Sequence, residues 1–68
     1  MSDHVYKMIE IVGTSTKSSD NAIETAISKA SKTLHNIDWF EVQEIRGKIV
    51  SGKVDHYQVK LKVGFRLD

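Results

Sequence analysis

Two side chains in this sequence have the chemistry to hold a flat molecule with a polar edge: Trp39, the only tryptophan, and Gln58. An indole offers a π face for stacking, and a carboxamide offers a hydrogen-bond donor and an acceptor side by side. Taken singly, each has a plainer reading that residue type alone favours. Trp39 reads as an aromatic packed in a protein interface, and Gln58 as an ordinary polar residue on a solvent face. Reaction chemistry is not supplied elsewhere. There is no nucleophile paired with a base and no paired carboxylates, and Gly13-Thr14-Ser15 lacks the spacing of a glycine-rich phosphate loop. His4, His35 and His56 are scattered rather than set at metal-ligand spacing, and they read as passive surface groups. With no cysteine, disulfides and thiolate metal sites are excluded. An enzyme is disfavoured.

What the two side chains can do depends on the elements that carry them. The stretch from His4 to Gly13 is rich in β-branched and aromatic residues and stops at a glycine, which predicts a first strand. After the small, polar "TSTKSS", the Ser18 hydroxyl is placed to cap a helix, with Asp20 complementing the dipole of its first turn. Ala22, Ile23, Ala26, Ile27, Ala30, Thr33, Leu34 and Ile37 then recur at helical steps. The alanines form a narrow stripe that lets the helix lie close to a sheet. Two further strands, Trp39 to about Val50 and Lys53 to about Arg66, flank Ser51-Gly52, a pair suited to a tight hairpin turn. In the last strand Tyr57, Val59, Leu61, Val63 and Phe65 alternate with polar residues, so one face is core and the other polar. The expected fold is α+β: a β-α-β-β subunit with a three-stranded antiparallel sheet packed on one helix.

A hairpin centred on Ser51-Gly52 sets Phe40 opposite Val63 and Val42 opposite Leu61, apolar pairs beneath the helix that make Phe40 the core aromatic. By the same alternation Trp39, Glu41, Gln43 and Ile45 lie on the helix-free face, opposite Gly64, Lys62, Lys60 and Gln58. Gly64 then leaves the indole uncovered on that side. An open face bearing a tryptophan marks an interaction site. Six residues of strand separate the Gln58 position from the one facing Trp39, roughly 20 Å at ~3.3 Å per residue, so one chain cannot close both on one small molecule. Acting together, they need a second copy. Chain length argues the same way: 68 residues bury only about 60% of the unfolded chain's surface, and neither disulfide nor metal is available as a staple.

A net charge of +1 names no nucleic-acid or membrane partner, and Lys60, Lys62 and Arg66 read as a solvated strand face. A nucleic-acid sheet reader presents two or three stacking aromatics where this face has one. The sequence has neither a signal-peptide pattern nor the ~20 apolar residues of a membrane span, so a soluble cytoplasmic protein is expected, one domain over residues 1–68 without linkers.

Four stretches, "VYKMIEIVGTS" (Val5 to Ser15), "ASKTLHNIDWFEV" (Ala30 to Val42), "IRGKI" (Ile45 to Ile49) and "HYQVKLKVGFRLD" (His56 to Asp68), cover nearly the whole chain in order, and in them the sequence resembles the dodecins, small flavin-binding proteins that form hollow spherical dodecamers. The resemblance implies a subunit wrapping its helix, a homo-oligomeric dodecamer, and flavins held in pairs at two-fold contacts. It implies that Trp39 stacks on the isoalloxazine ring, that the Gln58 amide bonds the pyrimidine edge, and that Arg46 lies close to the flavin. Simple alternation puts Arg46 on the helix side, so a bulge near Gly47 is expected to turn it. His4, Lys7, Lys29, Lys32 and Arg66 stand where some members contact coenzyme A or phosphate. The implied function is storage and sequestration of FMN, riboflavin or FAD with quenching. The alternatives are a flavin-dependent redox enzyme or a coenzyme A/FMN co-storage shell. Many dodecins carry a large or acidic residue in place of Ser19, which affects capping rather than the flavin positions.

Overall fold

A computed structural model describes residues 3–67. The chain runs β1 (Val5–Ser15), α1 (Ser19–Ala30), β2 (Ile37–Val50) and β3 (Lys53–Leu67). The strands form one antiparallel sheet in the order β1-β3-β2, with β3 central. Its alternation explains that place: Val59, Leu61 and Val63 are fully buried, and with Ala22 and Ala26 they make the core. Ile9, Ile11, Ile23, Ile27 and Ile37 pack around them. The expected β-α-β-β fold is the one observed.

Hydroxyls and an amide fix the entry to α1. Ser18 Oγ accepts from the Asn21 N–H at 2.9 Å, and Ser15 Oγ donates to Asn21 Oδ1 at 2.7 Å. Gly13 lets the helix approach β1 closely, since a side chain there would run into the Ala22 carbonyl. The helix ends earlier than its apolar periodicity suggests. Ser31 caps it, with Ser31 Oγ donating to the Ser28 carbonyl at 2.9 Å. The chain then reverses through Asn36, whose φ of 62° lies in the left-handed region. Leu34 and Ile37 therefore continue the apolar period without belonging to the helix; Ile37 opens β2 and still reaches the core. Among the described residues no helix is long and apolar enough to cross a membrane.

Ser51 and Gly52 both carry positive φ (51° and 75°), the geometry of a two-residue turn that matches strand twist. The hairpin they close is long. The chain extends over 56 × 20 × 13 Å with a radius of gyration of 14.3 Å, whereas a compact chain of this length is expected near about 11 Å. The helix packs on β1 and β3 and leaves the helix side of β2 largely bare. Phe40 does pair with Val63 as expected, but it is not a core residue: it is 47% exposed because no helix covers β2. Toward the hairpin tip Ile45, Ile49, Val54 and Tyr57 surround an open depression of about 260 Å³. An apolar tip of this kind needs a cover from outside the chain.

Candidate functional site

The face of the sheet away from the helix is set by the β3 alternation Gly64, Lys62, Lys60, Gln58, His56. The neighbours of these residues on β1 are Met8, Glu10, Val12 and Thr14, and on β2 Trp39, Glu41, Glu44, Arg46 and Lys48. Both expected ligand groups, Trp39 and Gln58, lie on this face. They lie at its two ends, roughly 20 Å apart by strand rise, with a charged middle of Glu10, Glu41, Glu44, Lys60 and Lys62 between them.

At one end the indole lies over Gly64. A Cβ on Gly64 would sit 2.5 Å from Trp39 Cε2 and Cζ2, so the glycine is the floor on which the ring rests. This corrects the expectation that Gly64 leaves the ring uncovered on that side: the ring fills the space. Tyr6 closes another side, its ring 5.0 Å from the indole at 60°, in edge contact. His4 in turn meets Tyr6 edge-on at 6.4 Å. Trp39 nevertheless keeps 39% of its surface exposed, a supported platform with a free side.

The other end departs from the regular hairpin. Pairing shifts by one residue between Val42 and Glu44, so that Gln43 is an extra residue in β2. Such a bulge exchanges the faces of everything beyond it. Ile45 consequently pairs with Val59 on the helix side, not with Gln58 on the open face, and Arg46 pairs with Gln58. Arg46 thus reaches the open face as the resemblance required, through a bulge at Gln43 rather than at Gly47. Gly47 has a different task, since a Cβ there would press to 2.7 Å from the His56 carbonyl oxygen. The Arg46 guanidinium approaches Glu44 at 3.4 Å and is well exposed.

Around Gln58 the structure brings in groups that sequence reasoning passed over. Its Nε2 lies 3.4 Å from Nε2 of His56, whose Nδ1 lies 2.8 Å from Asp55 Oδ2. His56 is half-buried and engaged on both nitrogens, not a passive surface group. Thr14, Ser15, Thr16 and His56 line an adjoining open depression of about 380 Å³. Tyr6 carried no signal visible in the sequence, because the β1 register decides its place; alternation puts His56 on the face of Gln58, but its contact with Asp55 depends on a second bulge at Asp55.

The five cations proposed for coenzyme A or phosphate are not gathered within one chain. Arg66 pairs with Tyr6 on the open face, beside which His4 lies, whereas Lys7 pairs with Phe65 on the helix side. Lys29, in the last turn of the helix, lines a shallow depression with Ile11, Val12, Ala26 and Ala30, and Lys32 follows in the turn beyond. Among the described residues no group of acidic, histidine or cysteine side chains is arranged to hold a metal ion.

A bare apolar hairpin and an open sheet face with a propped indole are the distinguishing features of this small β-α-β-β protein. Comparison with known proteins gives the family. The family model described as Dodecin matches residues 5–68, and the chain belongs to the dodecin family. Dodecin of Thermus thermophilus is 55% identical over 64 residues, covering 94% of this chain and 93% of its own. The dodecin structure from Streptomyces davaonensis superposes with a TM-score of 0.94 at 55% identity, covering 98% of both chains. The Streptomyces coelicolor dodecin gives 0.95 at 51% identity, covering 100% of this chain and 97% of that one.

Proposed function

We propose that copies of this chain assemble into a hollow dodecamer that stores and sequesters flavin, as FMN, riboflavin or FAD, between its subunits. The observation that carries the reading is the disposition of Trp39 and Gln58, which share one face yet stand a full strand apart. Two copies with these faces opposed and antiparallel set the indole of one against the carboxamide of the other. A planar ring then fits between them, stacked on the indole and bonded at its polar edge. Arg46, beside Gln58, supplies a cation at that edge. Membership of the dodecin family supports the assembly and the ligand class. The proposed role is binding, not turnover: flavins paired and stacked between tryptophans would fill the pocket and exclude a substrate.

The test is a fluorescence titration of FMN with the wild-type protein and with Trp39→Ala. Stacking of about 1–3 kcal/mol predicts that the variant binds roughly 5- to 150-fold more weakly and loses contact quenching. Equal quenching by both proteins refutes the proposal.

A further inference from the structure

Gln58 reads a ligand only if its carboxamide is held one way round. A carboxamide on an exposed strand turns freely about its last bond, so that its oxygen and its nitrogen exchange places. Read in one orientation it matches a polar edge; in the other it sets donor against donor and acceptor against acceptor. Something must choose.

We infer that His56, with its tautomer set by Asp55, is the positioning residue that fixes which way the Gln58 carboxamide faces. The reasoning runs along the contacts. Asp55 Oδ2 lies 2.8 Å from His56 Nδ1, and an ionised carboxylate only accepts, so Nδ1 carries the proton. A neutral imidazole has one N–H, which leaves a lone pair on Nε2. That lone pair faces Gln58 Nε2 at 3.4 Å, the long member of the chain, and accepts one amide hydrogen. A turned amide would bring its oxygen against the lone pair, a repulsive contact. The orientation that remains presents Gln58 Oε1 and the second amide hydrogen side by side as an acceptor and a donor.

The backbone is shaped for this relay. Adjacent strand residues point to opposite faces, so Asp55 and His56 would not meet in a regular ladder. The pairing passes from Lys48 opposite His56 to Ile49 opposite Val54, leaving Asp55 as an extra residue in β3. The bulge re-aims the carboxylate toward its neighbour's ring. Among the described residues the contact recorded for His56 Nε2 is the Gln58 amide, and Ser15 Oγ, which lines the same depression, donates to Asn21 at 2.7 Å instead. The dyad is thus turned toward an amide.

This inference deepens the flavin reading and rests on it. The experiment compares riboflavin with N3-methylriboflavin, which lacks the edge N–H, by fluorescence quenching of wild type, His56→Leu, His56→Gln and Asp55→Asn, with sizing to verify assembly. Loss of one hydrogen bond's worth of organisation predicts that His56→Leu weakens riboflavin binding by about threefold to tenfold. The preference for riboflavin over the methylated ligand narrows at the same time. His56→Gln, whose side-chain oxygen can accept where Nε2 did, restores both. Asp55→Asn, at an exposed side chain whose loss does not threaten folding, narrows the preference too, so the test survives if His56→Leu fails to assemble. In a Gln58→Ala background, His56→Leu adds nothing further. Unchanged preference in His56→Leu and in Asp55→Asn, or a full additional loss in the double variant, overturns the inference while the flavin reading stands. Wild-type protein that quenches neither ligand overturns both.

Discussion

Replacing Gly64 by alanine separates the binding platform from the fold. Gly64 sits in the central strand without a positive φ, and the three atoms nearest to an added Cβ all belong to the indole. The new Cβ would stand 2.5 Å from Cε2 and Cζ2 of Trp39 and 2.7 Å from Cη2. The ring must retreat by roughly 1 Å to reach ordinary contact, and a gap of that size forfeits about a quarter to a half of a dispersion contact. Applied to a stacking energy of about 1–3 kcal/mol, this gives a loss of roughly 0.3–1.5 kcal/mol, a twofold to twelvefold weaker flavin complex. Thermal stability should hold or rise, because alanine at a compatible position restricts the unfolded chain by about 0.4–1 kcal/mol. Gly52→Ala is the reverse control. Its φ of 75° strains any side chain, and nothing lies within 4 Å of the added methyl. It should cost about 1 kcal/mol of stability and leave flavin affinity unchanged. FMN titration and a thermal melt of each variant check both halves. Gly64→Ala with wild-type affinity and quenching would show that the seat of the indole over Gly64 does not set the platform.

Three other substitutions probe the helix packing, the arginine and the assembly. Gly13→Ala pushes a methyl into the Ala22 carbonyl and within 2.9 Å of Ala26 Cβ; backbone does not yield, and the urea midpoint should fall by the equivalent of about 1–3 kcal/mol. Arg46→Ala removes an exposed ion pair with Glu44, so stability should change by no more than about 1 kcal/mol. Flavin affinity should drop about tenfold if the guanidinium makes a charge-assisted bond to the ligand; an unchanged titration removes Arg46 from the site. Ile49→Glu alters a side chain that is 71% exposed in the single chain. It should leave the subunit's circular dichroism intact while moving the protein to a smaller species on sizing, because a carboxylate buried between copies costs several kcal/mol.

The extent to which the sequence announced this structure follows from what each residue could signal locally. The alternation of β3 exposes its buried face, since Val59, Leu61 and Val63 fall on one side, whereas its central place shows only in the pairing with both other strands. Ser51-Gly52 fixes the turn, and the apolar pairs Phe40–Val63 and Val42–Leu61 keep the register it sets because the extra residues Asp55 in β3 and Gln43 in β2 cancel before they are reached. Ser18 as cap follows from its hydroxyl and the periodicity behind it. Burial was less legible than register: Phe40 faces the correct side, but whether a helix covers it depends on where α1 lands. The helix end was obscured because Leu34 and Ile37 keep the apolar period while serving a turn and a strand. Tyr6 at the side of the indole follows only from the pairing of β1 with β3, which no short turn dictates.

The residues that most resisted reading are those where the ladder gains a residue. Three irregularities interrupt the pairing of β2 with β3, at Asp38, Gln43 and Asp55, and none of these is a glycine that would flag it. Each reverses the alternation of the strand that carries it. The first lets Ile37 reach the core while Trp39, two residues on, faces outward. The second delivers Arg46 to Gln58 and returns Ile45 to the apolar side. The third sets Asp55 beside His56. Without them, period-two alternation would place Ile37 with Trp39, Ile45 with Gln58, and Asp55 away from His56. The candidate site is therefore a product of irregular pairing laid over a regular sheet: β3 supplies a straight reference line, and single added residues decide which neighbours face its polar side.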